Sequence, residues 1–364
     1  MSQTGGAEPR PDATTDAALR HAKSDGKSGA TKALIGLAVL LGVLVAGGAA
    51  AYFWFQNSLA SNVETIPDPF AGVTDRPEAA PVDEESGEEA PLNFLVLGSD
   101  SRISAGDPSQ WEAGAQRTDS IMLVHLAGDR ESAEVISIPR DSWVEIPGYG
   151  YSKINAAFSF GGPTLMIQTV EDLTGVRIDH FAVADFESFV ELTDALGGVD
   201  IRVADGAPDG QGGTYEGGIQ HMDGEEALAY TRERHDLANG DFGRVQRQQA
   251  WMRAIMAEVN NSRDDLVTMT KFLTAVSESV AVDEGLDIGE MRDILVSSRN
   301  IGSSDVDFIT MPYEGTGRSA DGQSIVVLDE AKMIPLMDAV ADDTAHAYVQ
   351  ENEEELSVLS PTVN

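Results

Sequence analysis

The chain has 364 residues, 61 acidic against 24 basic side chains, a formal net charge of −37 and no cysteine. Its length accommodates one large domain with appendages. The charge excludes non-specific nucleic-acid binding and adhesion of the folded part to anionic lipid, both of which need a basic footprint. The missing cysteines exclude a disulfide framework, a thiol nucleophile and a Cys-ligated metal, and no pair of the six histidines has zinc-ligand spacing.

Residues 1–32 are rich in Gly, Ala, Ser, Thr and Asp and read as a disordered cytoplasmic tail. Residues 33–55 carry no charge. As a helix they would span roughly 34 Å, enough for a bilayer core of about 30 Å. Tyr52, Phe53, Trp54 and Phe55 cluster at the far end, while Lys23, Lys27 and Lys32 precede the start. The positive-inside rule puts the N-terminus in the cytoplasm and the rest outside. A cleaved signal peptide would have a shorter apolar core nearer the start, so a retained anchor is expected. Residues 56–91 combine five prolines with acidic runs and read as an extended, solvated linker.

The folded domain is expected over 92–345, with a disordered acidic tail at 346–364. Short apolar runs predict strands at 94–97, 120–126, 133–138, 181–184, 199–203, 306–311 and 324–327. Helices are expected at 164–173 after Gly161-Gly162-Pro163, at 187–196, from the Asp223 cap to 230, at 242–259, 264–281, 288–300 and 329–338. Residues 205–220 read as a Gly-rich loop. The pattern implies an α/β fold, a central mixed β-sheet flanked by helices, preceded by one N-terminal transmembrane helix.

Residues 230–256, YTRERHDLANGDFGRVQRQQAWMRAIM, concentrate the chemistry. Arg232, Arg234, Arg244, Arg247 and Arg253 fall here, and no lysine occurs between Lys153 and Lys271. Arginine offers a planar fork of donors that suits phosphate or carboxylate. Arg232 and Arg234 share a face if extended. Helical projection puts Gln248 within the apolar face of 242–259 and Arg244 at its margin, beside a helix N-terminus that favours anions. The same projection sends Arg247 and Trp251 to the other side and assigns Arg247 and Arg253 to the surface.

Asp100 and Asp119 stand at strand boundaries with Arg102, Arg117 and Arg140. Two carboxylates could hold Mg²⁺, with substrate phosphates and water completing the shell, or each could sit in a structural ion pair. Lys153 is a lone cation before an apolar segment. Residues such as Phe158, Phe160, Phe181 and Phe189 line either a plain core or a lipid cavity. There is no nucleophile elbow, P-loop or dinucleotide fingerprint. An arginine-lined, Mg²⁺-assisted anion pocket suits phosphoryl transfer by positioning and charge neutralisation.

FLVLGSDSR, RTDSIMLVHL, SIPRDSWVEIPGYG, KINAAFSFGGP, HFAVADFESFVELTDALGGVDI and YTRERHDLANGDFGRVQRQQ, in this order, resemble the LytR-CpsA-Psr family. The resemblance implies an enzyme that moves a glycopolymer from a polyprenyl-pyrophosphate carrier to a peptidoglycan hydroxyl, releasing polyprenyl phosphate. It implies that Asp100 and Asp119 hold Mg²⁺. It also implies that Arg117, Arg140, Lys153, Arg232, Arg234, Arg244 and Gln248 meet the pyrophosphate, with Arg232 and Arg234 central to catalysis. Asp241 has two readings, proton acceptor and N-cap of the long helix. The implied partners are the lipid-linked glycopolymer, the peptidoglycan acceptor and, through 33–55, the bilayer, with no nucleic acid. The rival readings are a polyprenyl-pyrophosphate pyrophosphatase and a non-catalytic wall-binding or regulatory protein.

Overall fold

The computed structural model describes residues 62–80, 89–99, 118–185, 188–233, 237 and 241–363. The expected anchor, 33–55, lies outside them, and no helix among the described residues is long and apolar enough to cross a membrane.

In chain order the strands and helices are β1 (Glu64–Ile66), β2 (Leu92–Ser99), β3 (Thr118–Leu126), β4 (Ala133–Ser137), β5 (Trp143–Ile146) and β6 (Gly150–Lys153), then α1 (Asn155–Thr174), β7 (His180–Asp185), α2 (Ser188–Leu196), β8 (Val199–Val203), β9 (Gly218–Met222), α3 (Gly224–Arg232) and α4 (Asp241–Ser262). There follow α5 (Leu266–Ser279), β10 (Val280–Asp283), α6 (Ile288–Ser297), β11 (Val306–Thr310), β12 (Tyr313–Arg318), β13 (Ser324–Leu328), α7 (Glu330–Ala341), α8 (Ala345–Asn352) and β14 (Ser357–Val358). Eight strands form one mixed sheet in the order β1-β10-β7-β2-β3-β4-β11-β14. Strand pairs β2–β7 and β4–β11 are parallel, while β2–β3 and β3–β4 are antiparallel.

The central strands alternate, and their two faces are packed differently. Leu95, Leu97, Ile121 and Leu123 are at most 1% exposed and pack with α1, α7 and α8. On the other face Phe94, Val96, Met122 and Val124 are only half-buried. Helices α3 and α4 with β8 and β9 cover part of that face. Phe272 of α5 and Ile294 of α6 join the same apolar cluster as partly buried members.

Several expectations are corrected. The linker is not solvated throughout, because β1 pairs in parallel with β10. Ile66 is buried, Phe70 and Val73 pack on the core, and Arg76 meets Glu171 at 2.6 Å. Apolar side chains spaced along an extended segment can dock on a sheet edge despite neighbouring prolines. The tail is not disordered either. Its α8 contributes Val349 to the core, β14 pairs with β11, and Val363 bridges Val203. The Gly-rich loop ends in β9, paired with β8, and the helix expected to 281 stops at Ser279 because β10 pairs with β7. In both places pairing with another strand overrides local pattern.

The break in α1 falls where Gly161-Gly162-Pro163 predicts a helix start. Gly162 has φ 65°, and Pro163 opens the second helical segment.

Candidate functional site

The ends of β2, β3 and β4 meet at one edge of the sheet. Ser99 pairs with Thr118, and the Ile138 N–H donates to the Ile121 carbonyl. Arg140 follows β4, so the backbone leads it to this edge, whereas Asp100 and Arg117 adjoin β2 and β3 only in sequence. The register slips by one between Gly98 and Ser99, making Asp119 the extra residue of a β-bulge. Bulges re-aim side chains and recur beside active sites. Thr118 is fully buried and its hydroxyl has no hydrogen-bond partner among the described residues. An orphaned buried oxygen fits a polar ligand or hydrated cation at this edge. Asp100, Arg102, Arg117 and Arg234 themselves lie outside the described residues.

Arg140 and Lys153 are brought together by the β5–β6 hairpin. Lys153 Nζ lies 2.9 Å from Asp141 Oδ1, and the Asn155 N–H donates to the Arg140 carbonyl at 3.2 Å. Both cations are half-buried. Asp141 is a partner for Lys153 that sequence reading passed over, although it is adjacent to Arg140.

Helix α3 starts at a capping box, in which Asp223 accepts from the Glu226 N–H and Glu226 accepts from the Asp223 N–H. Arg232 is its last residue and is exposed, and Glu233 turns the chain into extended conformation. Leu237 then folds back over Gly243 in the first turn of α4, where a Cβ would approach Leu237 Cδ1 at 3.0 Å. Phe242 stacks on Tyr313 of β12 at 4.0 Å. Gln249 Nε2 donates to Ser137 Oγ at 2.9 Å and to the Ile309 carbonyl at 3.0 Å, fixing α4 across the ends of β4 and β11. Asp241 is the first residue of α4, and Arg244 and Gln248, one turn apart, are both 6% exposed.

The surface assignment of Arg247 is overturned. It is fully buried, with Nη1 donating to the Tyr230 carbonyl at 3.1 Å. Burial pulls its pKa below the ordinary arginine value, against the opposing influence of Tyr230 and Tyr215. Trp251 is also buried and donates to Thr193 Oγ1 at 2.9 Å. Arg253 is half-buried and holds the C-terminal segment through the Ser360 and Pro361 carbonyls. The reason is shared: α4 lies between the sheet and a second layer of α2 and α3, so most of its circumference is buried.

A family model described as "LytR_cpsA_psr family" matches residues 71–341. The chain belongs to this family. It is 31% identical over 277 residues to the cell wall biosynthesis protein LcpA of Corynebacterium glutamicum, covering 65% of this chain and 53% of LcpA. The chain thus spans about half the length of that relative. It is 30% identical over 292 residues to TagU of Bacillus cereus, a polyisoprenyl-teichoic acid–peptidoglycan teichoic acid transferase, covering 80% of this chain and 90% of TagU. Among solved structures, B. subtilis TagV superposes with a TM-score of 0.56 at 25% identity, over 70% of this chain and 97% of TagV. The family's mixed sheet flanked by helices is the architecture described above.

Proposed function

We propose that this chain is a membrane-anchored enzyme of the cell surface that transfers a glycopolymer from a polyprenyl-pyrophosphate carrier to a peptidoglycan hydroxyl. One observation carries the reading. Helix α4 has Arg244 and Gln248 at its polar end, and Gln249 of the same helix reaches Ser137 at the end of β4, three residues before Arg140. The same helix continues as Met252, Met256 and Val259, which join the apolar cluster that Phe94, Met122 and Val124 pack against. A charged head and a run of half-buried apolar side chains joined along one helix match a ligand with a pyrophosphate head and a long hydrocarbon tail. The printed name of TagU supports the same chemistry. Residues 33–55 supply the anchor, with the domain outside the cell.

Arg140, Lys153, Arg232, Arg234, Arg244 and, from its position before β3, Arg117 bind and orient the pyrophosphate, and Gln248 adds a neutral donor. Asp100 and Asp119 would hold Mg²⁺, which would offset negative charge on the phosphates. The acceptor hydroxyl forms the new bond to the phosphorus next to the glycan, and the bond from that phosphorus to the bridging oxygen breaks. Polyprenyl phosphate departs with the electron pair, and no nucleotide is consumed because the pyrophosphate linkage is already activated. Asp241, at the start of α4, receives the hydroxyl proton.

The test mixes the purified full-length chain with Mg²⁺, a polyprenyl-pyrophosphate glycan and peptidoglycan. Polymer joined to peptidoglycan and free polyprenyl phosphate are expected, and Arg232→Ala and Arg244→Ala should lose both while remaining folded. Transfer retained in either folded variant removes the site assignment. Carrier hydrolysis that ignores the acceptor makes the protein a pyrophosphatase instead.

A further inference from the structure

We infer that Glu134, Asp307 and His346 form a second metal site, for a divalent transition ion of the Zn²⁺ or Mn²⁺ class, at the end of the sheet opposite the arginine edge. The site is independent of the transferase reading. From Asp119 to His125, the β3 neighbour of Glu134, is roughly 20 Å at 3.3 Å per residue.

Strand register builds the cluster. Glu134 of β4 is opposite His125 of β3 on one side and Asp307 of β11 on the other. All three stand on the sheet face that is otherwise Leu123, Ile136 and Ile309. Helix α8 packs on this face through Ala345 and Val349 and places His346 between the two carboxylates. His346 Nδ1 lies 3.2 Å from Asp307 Oδ2 and 3.5 Å from Glu134 Oε1. One ligand atom from each residue falls within a 4.8 Å group, the spread expected for atoms sharing one ion.

Glu134 makes this more than an acidic patch. It is fully buried, and neither carboxylate oxygen has a hydrogen-bond partner among the described residues. A buried carboxylate without donors costs several kcal/mol unless a charge compensates it. Three other acids around it are already engaged. Asp343 accepts from the Gly128 N–H, Asp305 from the Gly302 N–H and Asp129 from the Glu131 N–H. His125 has both ring nitrogens placed, against Asn93 and Asp343. Asp307 takes only a long contact from Gln350 Nε2 at 3.5 Å, while Glu134 and His346 face a cavity of about 540 Å³ whose described lining contains no lysine or arginine. That cavity leaves room for waters to complete the shell. One imidazole with two carboxylates favours Zn²⁺ or Mn²⁺ over Ca²⁺ and Mg²⁺, which take oxygen ligands. Bound there, the ion would tie α8 to β4 and β11.

The test uses the full-length chain stripped of metal and held in excess Mg²⁺, so that the arginine-edge carboxylates are already supplied. Calorimetric titration with Zn²⁺ should show one equivalent bound. Thermal unfolding should move up by about 5–10 °C at a hundredfold excess over Kd. Glu134→Gln and His346→Ala should each weaken binding by about 100-fold or more and lose the shift, while Asp119→Asn keeps both. No Zn²⁺ binding by the wild-type chain, or binding untouched by either substitution, overturns the proposal. So does a metal-free Glu134→Gln protein that melts well below a wild-type chain indifferent to Zn²⁺, since Glu134 and His346 would then be only an ion pair.

Discussion

Arg247 lays its guanidinium carbon 4.2 Å from the centroid of the Tyr230 ring and donates to the carbonyl of the same residue. It thereby fixes the start of α4 against the end of α3, which are the two segments that carry Arg244 and Arg232. A buried planar cation on an aromatic face combines packing, a cation–π contact and a charge-assisted hydrogen bond. Arg247→Ala should cost about 3 kcal/mol in urea unfolding and lower turnover as well. Arg247→Lys should recover little of either, because an ammonium cannot both cover the ring and reach the carbonyl. Full stability in Arg247→Lys would refute the geometric role.

Lys153 and Asp141 make a separable pair. Their side chains are 23% and 26% exposed, so the ion pair itself contributes about 1 kcal/mol or less to the fold. Lys153→Ala should therefore leave the melting temperature nearly unchanged while kcat/KM for the lipid-linked donor drops roughly 10- to 100-fold. A large loss of stability with normal kcat/KM would reassign Lys153 to structure.

Asp283 sets a pH dependence. Burial alone would raise its carboxyl pKa, but donors from the His180 ring and the Phe181 and Gly285 backbone outweigh burial and hold it below the ordinary aspartate value. A depressed folded pKa contributes stability that is present above the unfolded value of about 3.9 and lost as pH falls through the folded value. Asp283→Asn should be less stable than wild type by about 2 kcal/mol at pH 7, with the difference shrinking below about pH 4. Urea midpoints measured from pH 3 to 7 check this, and a gap that widens on acidification would contradict it.

Gly210 stands at φ 76°, with its missing Cβ directed at the Ala229 carbonyl carbon at 2.7 Å. This approach packs the glycine-rich loop against α3 just before Arg232. Gly210→Ala combines backbone strain with a clash against a rigid helix carbonyl, and should cost about 2 kcal/mol. Thermal unfolding should fall by about 4–8 °C, whereas Gly212→Ala, also at positive φ but with nothing within 4 Å, should lose less.

Much of the scaffold was legible because strand and helix periodicities are local. The β8 segment, the start of β4 and the Asp223 cap all follow from alternation or from a capping residue with its acidic partner. Strands β1, β9, β10 and β14 were not legible. Strands β1, β10 and β14 are held by pairing with segments far away in the chain, and β9 by pairing back on β8 across the glycine-rich loop, and neither kind of pairing leaves a local signature. Arg244 and Gln248 were correctly placed toward the interior by helical projection, whereas Arg247 and Trp251 were not. Projection finds one apolar face, and it cannot see that a second layer of helices covers the opposite one.

By itself the sequence determined the alternation of the central strands, the family to which the chain belongs and the concentration of arginine around α4. Residue type, order and short-range spacing carry all three. Only the tertiary structure decided that Arg247 is buried and cements α3 to α4, and that Asp141 holds Lys153. It also brought His346 to Glu134, more than two hundred residues away, and to Asp307, although the histidine spacing had argued against any such site. Burial and cross-strand register belong to surfaces formed after distant segments meet, and linear spacing does not encode them.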